Sequence, residues 1–199
     1  MGRTRTVADE DILKAARKVF LDRGQLATTR EIAATAGISQ AVLYQRFGSK
    51  DDLFFAAMAP PPPNVETLLG KPPLEARETE FYLIALAERL FEYFETVAPL
   101  FVQLATHTAF DSEHLANAHR PVVDSGLLES LGKRLDQLAA ADCVRAGDGN
   151  AMAQLLISVV HSEALSSVLL KTAPDAGRRR EMIRLVWRGL SPADTGQQR

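Results

Sequence analysis

Cysteine and tryptophan occur once each among the 199 residues, and neither sign of charge is in real excess: 23 Lys+Arg stand against 25 Asp+Glu, a formal net charge of −2. The lone Cys143 excludes an intramolecular disulfide and a cysteine-rich zinc site, and it fits a reducing compartment. No run approaches the roughly 18 uninterrupted apolar residues of a membrane span. The start, Met1 to Arg5, is polar and basic with no apolar stretch behind it, unlike a secretory signal. The expectation is a cytoplasmic protein without a membrane partner. At 46% apolar and 24% charged residues, disorder and collagen-like structure are also excluded. The length allows one or two compact domains.

A net charge near zero argues against nucleic acid, because phosphate attracts a basic footprint. The mean conceals an asymmetry. Residues 1–50 hold nine Lys+Arg and five Asp+Glu, net +4, which leaves 14 against 20, net −6, for the remaining 149 residues.

Apolar periodicity reads as helix throughout. Ile12, Ala15, Ala16, Val19 and Phe20 share one helical face over residues 9–23, and Gly24 supplies a stop. Thr28 and Glu31 have the spacing of a capping box, in which hydroxyl and carboxylate satisfy unpaired amides of the first turn. They predict a helix from Thr29 to Ala36. Gly37 ends it, and Ser39 is the next N-cap, opening a helix from Gln40 to about Phe47. The tight turn Ala36-Gly37-Ile38-Ser39 joins these two helices into a helix-turn-helix.

A fourth helix is predicted from Asp51 to Ala59. Six of the ten prolines fall in residues 60–73, which therefore read as a loop or linker. Beyond it, Leu74 to Val97 is apolar on more than one side and calls for burial over most of its circumference. Pro99, Pro121, Gly147 to Gly149 and Pro174 divide the rest into helices near 100–110, 125–145, 150–171 and 177–190, with a loop between the first two. The chain is expected to be all-α with about nine helices. It reads as a DNA-binding domain over 1–50 and a helical bundle over 51–199.

Residues 28–53, TTREIAATAGISQAVLYQRFGSKDDL, resemble the DNA-binding segment of the tetracycline-repressor-like (TetR) family of bacterial transcription regulators. Thr28-Thr29, Ile32-Ala33, Gly37-Ile38-Ser39, Leu43-Tyr44, Phe47, Ser49-Lys50 and Leu53 carry the likeness together. Ile32, Ala33, Ile38, Leu43 and Phe47 are expected to pack the helices. On the solvent side, Gln40, Ala41, Gln45 and Arg46 suit base edges in a major groove, where Gln matches adenine, Arg matches guanine or phosphate, and Ala meets the thymine methyl. The resemblance implies that Thr28, Tyr44 and Lys50 grip phosphates and that Arg30 reaches a base in some members; Ser39, at the start of the reading helix, is counted among the DNA-binding residues. Taken singly, Tyr44 also reads as an amphipathic packing residue, and Arg46 and Lys50 as solvated charges. The loop between Gly24 and Thr28 is about one residue short of the family pattern, with Gln25 where an apolar residue is common and Leu26 the candidate to pack there. Arg3 and Arg5 form a basic arm suited to an adjacent minor groove, or a frayed terminus.

One reading helix covers little DNA, so a homodimer on a roughly palindromic operator is expected. The candidate dimer surface is Leu155, Leu156, Val159, Val160, Ile183, Val186, Trp187 and Leu190, which also suit the monomer's own core. The resemblance implies dimers formed by the two C-terminal helices. Seven of 13 aromatic residues lie in 81–110. That excess suggests a cavity for a small apolar effector, lined by Phe81, Tyr82, Phe91, Phe94, Phe101 and Phe110 with Gln103 and His107 as polar contacts, or alternatively a solid core. Asp111, Glu113, His114 and His119 lack metal-ligand spacing and read as a solvated loop. No cofactor or metal is expected, and nothing resembles a nucleophile elbow, a P-loop or a catalytic carboxylate pair. The chain reads as a ligand-released repressor, not an enzyme. The competing reading is a helical small-molecule-binding or enzymatic protein with a degenerate DNA-binding unit.

Overall fold

The computed structural model describes residues 7–73 and 75–191, so Arg3, Arg5, Leu74 and Pro192 lie outside the described residues. Its helices are α1 (Asp9–Arg23), α2 (Thr29–Ala36), α3 (Gln40–Phe47), α4 (Lys50–Met58), α5 (Val65–Leu69), α6 (Thr79–Ala105), α7 (Ser112–Asp124), α8 (Leu127–Ala140), α9 (Gly149–Leu170) and α10 (Ala176–Leu190). Nine of these have eight residues or more, α5 being a single turn inside the proline-rich stretch expected to be loop. No strand occurs among the described residues. The chain is all-α.

It divides into two compact units, one of residues 1–60 with 99–120 and the other of 61–98 with 121–199. The compact unit therefore runs past residue 50, where the domain boundary was expected. Leu53, Phe54, Ala57 and Met58 of α4 are at most 3% exposed and belong to the same core as Ile12, Phe20, Ile32 and Leu43. Arg17 fixes the end of α4, its guanidinium donating to Ala57 O at 2.7 Å and Ala59 O at 2.9 Å, a cation placed where a helix dipole is negative.

Two prolines expected to break helices lie inside them. Pro99 is within α6, which merges the helices expected at 74–97 and 100–110, and Pro121 is within α7, which replaces an expected loop. An interior proline forfeits a backbone hydrogen bond and costs about 3 kcal/mol. Just past Pro99, Leu100 and Leu104 are both 2% exposed in the first unit's core, burial that offsets much of that cost. α7 is preceded by Asp111, whose Oδ1 accepts the amides of Glu113 and His114 at 3.0 Å each.

In the second unit α8 packs along α9 through Leu131, Leu135, Leu138, Ala153, Leu156 and Val160, all buried. Their backbones approach at a pair of glycines: a Cβ on Gly132 would strike Asn150, and one on Gly149 would strike Asp136 and the Gly132 carbonyl. Asp175 caps α10 by accepting the Arg178 amide at 2.9 Å. That sets Arg179 one residue further in, 4% exposed, bound to Glu88 at 2.7 Å and Glu163 at 2.9 Å. Its guanidinium lies 3.7 Å from the centre of the Phe91 ring.

Candidate nucleic-acid interface

α2 and α3 owe their geometry to local chemistry. The Thr28 hydroxyl accepts the Glu31 amide at 3.2 Å, and Glu31 returns a carboxylate to the Thr28 amide at 3.0 Å. These bonds hold the Glu31 carboxyl below the usual carboxylate range, the Thr28 backbone amide being the largest cause. α2 ends at Gly37 with φ +69°, a left-handed cap that closes the turn. Ser39 then accepts the Val42 amide at 3.2 Å and starts α3. Leu43 is fully buried while Gln40, Ala41, Tyr44 and Gln45 are exposed, so α3 shows solvent a stripe that can enter a groove.

The side chains of this stripe are tied together by Thr29, which belongs to the family-like motif but had no task assigned from the sequence. Thr29, 8% exposed, accepts from Gln40 Nε2 at 3.0 Å and shares a 3.2 Å hydrogen bond with the Tyr44 hydroxyl. It thus fixes one side chain expected to read a base and another expected to hold phosphate. Its signal in sequence is only its place beside the N-cap, since both partners come from the next helix.

Other expected contact residues are committed within the protein. The Thr28 hydroxyl also donates to Glu31 Oε2 at 2.8 Å, so its proton is already used. Lys50 Nζ donates to Gln25 O at 3.0 Å and ties α4 to the short loop before α2. Arg46 Nη1 donates to Val7 O at 2.6 Å and to Asp9 Oδ1 at 2.9 Å. Arg30 is exposed and makes no hydrogen bond or ion pair among the described residues. Leu26, expected to pack in the short loop, is 85% exposed; Ala27, at 1%, enters the core instead. The Gln25 side chain turns aside to donate to Thr106 O at 2.8 Å.

The residues expected to line one effector cavity have other places. Phe81 is 73% exposed and cannot line an enclosed space. Tyr82, Phe91 and Phe94 are buried in the second unit, with Tyr82 accepting from Arg134 at 3.1 Å. Phe101, Gln103, His107 and Phe110 belong to the first unit. There His107 stacks on Phe54 at 4.4 Å, and Phe101 and Phe110 pack on the core. His114 stacks on Phe55 at 3.8 Å and His119 lies against Phe101 at 4.6 Å. Among the described residues no group of three His, Cys, Asp or Glu side chains could hold a metal ion.

The expected dimer set is also split. Leu156, Val160 and Ile183 are at most 2% exposed and fill their own unit, while Leu155 is 48% exposed. Val159, Val186 and Trp187 are half-buried, and the side chain of Leu190 lies outside the described residues. The sequence pattern marks α9 as apolar on all sides but does not say which side faces the chain's own core.

A capped helix, a left-handed glycine turn and a second helix presenting uncharged polar groups make a helix-turn-helix. Residues 12–57 match the family described as bacterial regulatory proteins, tetR family. Over 85 residues the chain is 35% identical to the HTH-type transcriptional activator FasR of Mycolicibacterium smegmatis, a match covering 42% of this chain and 39% of that protein. A solved structure assigned to the tetR family from Mesorhizobium loti superposes with a TM-score of 0.70 at 19% identity, covering 92% of this chain and 96% of the other. FadR from Bacillus subtilis, in complex with stearoyl-CoA, superposes with a TM-score of 0.64 at 15% identity over 92% and 99% of the two chains. Residues 12–57 are thus similar to the DNA-binding segment of the tetR family, and the fold of the chain is that of the solved tetR-family structures.

Proposed function

We propose that the protein is a homodimeric transcriptional regulator that binds a roughly palindromic operator through α3 and leaves it when a small apolar effector binds. The observation that carries the DNA-binding reading is the exposed stripe Gln40, Ala41, Tyr44 and Gln45, anchored from below by Thr29. Gln40 and Gln45 read base edges, joined by Arg30, while Tyr44 and Lys50 meet phosphates. The +4 charge of residues 1–50 supports this end as the one that meets DNA.

Dimerisation is supported by α9. Its outward face runs Ala151, Leu155, Ser158, Ser162, Ser166 and Leu169, with no charged side chain over the whole helix length. Leu155, Leu169 and Leu170 are 48%, 58% and 70% exposed in the single chain. A groove of about 500 Å³ lies between this face and α10, lined by Val159, Ser162, Ser166, Leu170, Arg178 and Met182 among others. By length and composition α9 could cross a membrane, yet it carries Glu163 in an ion pair with Arg179. A second copy covers an apolar protein face without that conflict.

Effector release requires a ligand that prefers the DNA-incompetent state. FadR's complex with stearoyl-CoA and the buried aromatic side chains Tyr82 and Phe94 support a largely apolar effector in the second unit. The test is selection of duplexes from a random pool followed by sedimentation of the complex. Two chains on a symmetric sequence are expected, and a Ser162→Glu chain that still sediments as a dimer would defeat the α9 interface.

A further inference from the structure

Gln25 stands where an apolar residue is common in the family-like pattern, in a loop about one residue short. The loop holds one short turn of 3-10 helix, Gly24–Leu26. Leu26 is 85% exposed, so burial does not hold this part of the chain. Two hydrogen bonds to distant segments hold it instead. The Gln25 side chain donates from Nε2 to Thr106 O at 2.8 Å, a carbonyl just past the end of α6. The Gln25 carbonyl accepts from Lys50 Nζ at 3.0 Å. The segment that receives Gln25 is itself fixed on α4: His107 stacks on Phe54 at 4.4 Å, and its Nε2 lies 3.5 Å from Asp51 Oδ1. All of these residues belong to the first unit.

We infer that Gln25 is a positioning residue for DNA binding: by anchoring its loop to Thr106 it holds its own carbonyl, and with it the Lys50 ammonium, in place to meet a phosphate. The inference rests on the DNA-binding reading above, in which Lys50 touches phosphate. Lys50 is the first residue of α4, where the positive end of the helix dipole disfavours a cation. The Gln25 carbonyl offsets that cost and fixes where the ammonium stands. One of the three N–H groups of the ammonium is spent on this bond, which leaves two for a phosphate. A lysine already fixed loses less side-chain freedom when DNA arrives. The gain is in affinity and not in sequence preference, because phosphate contacts orient a protein without reading bases.

The experiment is a double-mutant cycle in gel-shift titrations at several salt concentrations, on the duplex selected by the unmodified protein. It compares the full chain, Gln25→Met, Lys50→Ala and the combination. Methionine keeps the length of glutamine and has no N–H to give Thr106. Gln25 is exposed and Lys50 half-buried, so all four chains should fold, which thermal melting checks; should Lys50→Ala melt early, Lys50→Met takes its place. Gln25→Met should weaken binding roughly two- to tenfold, the cost of ordering one long side chain. Its salt dependence should stay as in the wild type, because Lys50 still neutralises a phosphate. Lys50→Ala should weaken binding further and flatten the slope of log K against log salt by about 0.9. The combined chain should bind no worse than Lys50→Ala, and all four should select the same consensus. Wild-type affinity in Gln25→Met would overturn the inference by leaving the anchor idle. So would a full Gln25→Met cost repeated in the Lys50→Ala chain, or a changed consensus, either of which gives Gln25 a role apart from Lys50. Wild-type affinity and slope in Lys50→Ala would overturn it too, by removing Lys50 from the DNA. Absence of salt-dependent binding by the unmodified chain would instead remove the DNA-binding reading, and the inference with it.

Discussion

Both units cap helix ends locally, Asp148 and Asp175 doing so in the second, but the second also joins α8 and α9 closely along their lengths. In the first, Thr28, Ser39 and Ser49 cap successive helices through bonds spanning three residues, and Arg17 closes α4 from across the core. In the second, α8 and α9 meet at Gly132 and Gly149, and Arg179 binds two carboxylates from distant segments. End-fastening uses neighbours in sequence and leaves helix faces free for a partner such as DNA. Length-fastening uses residues far apart in sequence and consumes the faces it joins. Charge differs less between the units than between sequence segments: the first unit holds 10 Lys+Arg against 9 Asp+Glu and the second 13 against 16, so the surplus of +4 is confined to residues 1–50.

The largest expected effect breaks the second unit alone. Arg179→Met leaves Glu88 and Glu163 without their buried partner, a change worth about 3–5 kcal/mol, and should lower the melting temperature by roughly 10 °C. A melting curve that coincides with the wild type would mean that the buried cluster contributes nothing. Gly149→Ala comes next. The added methyl has to displace Asp136 and the α8 backbone at about 1–3 kcal/mol, whereas Ala at exposed Gly189, where nothing lies within 4 Å, should leave chemical denaturation unchanged. If the two alanines behave alike, close approach of α8 and α9 is not what holds the bundle.

In the first unit Thr28→Ala should cost about 1 kcal/mol through the missing cap, with Thr28→Ser restoring most of it in urea titrations. The smallest effect is on pH dependence. Hydrogen bonds from Thr28 hold the Glu31 carboxyl below its ordinary range. Its stabilisation is therefore complete above the unfolded carboxylate value, about pH 4.3, and is lost as pH falls through the lower folded value. Glu31→Gln should flatten the acid limb of stability between pH 5 and roughly pH 3. An acid limb of unchanged steepness would assign it to other carboxylates, among them Asp111, which is shifted the same way by the His114 amide.

Legibility follows the range of the interactions. α1, α2 and α3 are readable to the residue because Gly24, Thr28–Glu31, Gly37 and Ser39 set their ends locally. The ends of α6 and the whole of α7 are not, because Pro99 and Pro121 are strong local signals, and burial of Leu100 and Leu104 across the fold overrides the first of them. Among the expected contact residues, exposure of Gln40, Ala41, Tyr44 and Gln45 follows from helical periodicity. The engagement of Arg46 and Lys50 does not, since their partners Val7, Asp9 and Gln25 lie 25 to 39 residues away.

The sequence by itself determined the helical class, the helix-turn-helix and the split of charge between the two ends, because periodicity, capping and charge are properties of neighbouring residues. Tertiary structure decided which apolar face of α9 is spent inside the chain and which is left exposed. It also turned Arg46 away from the reading face and brought Arg179 to Glu88 and Glu163. Those outcomes depend on distances between segments that no local pattern encodes.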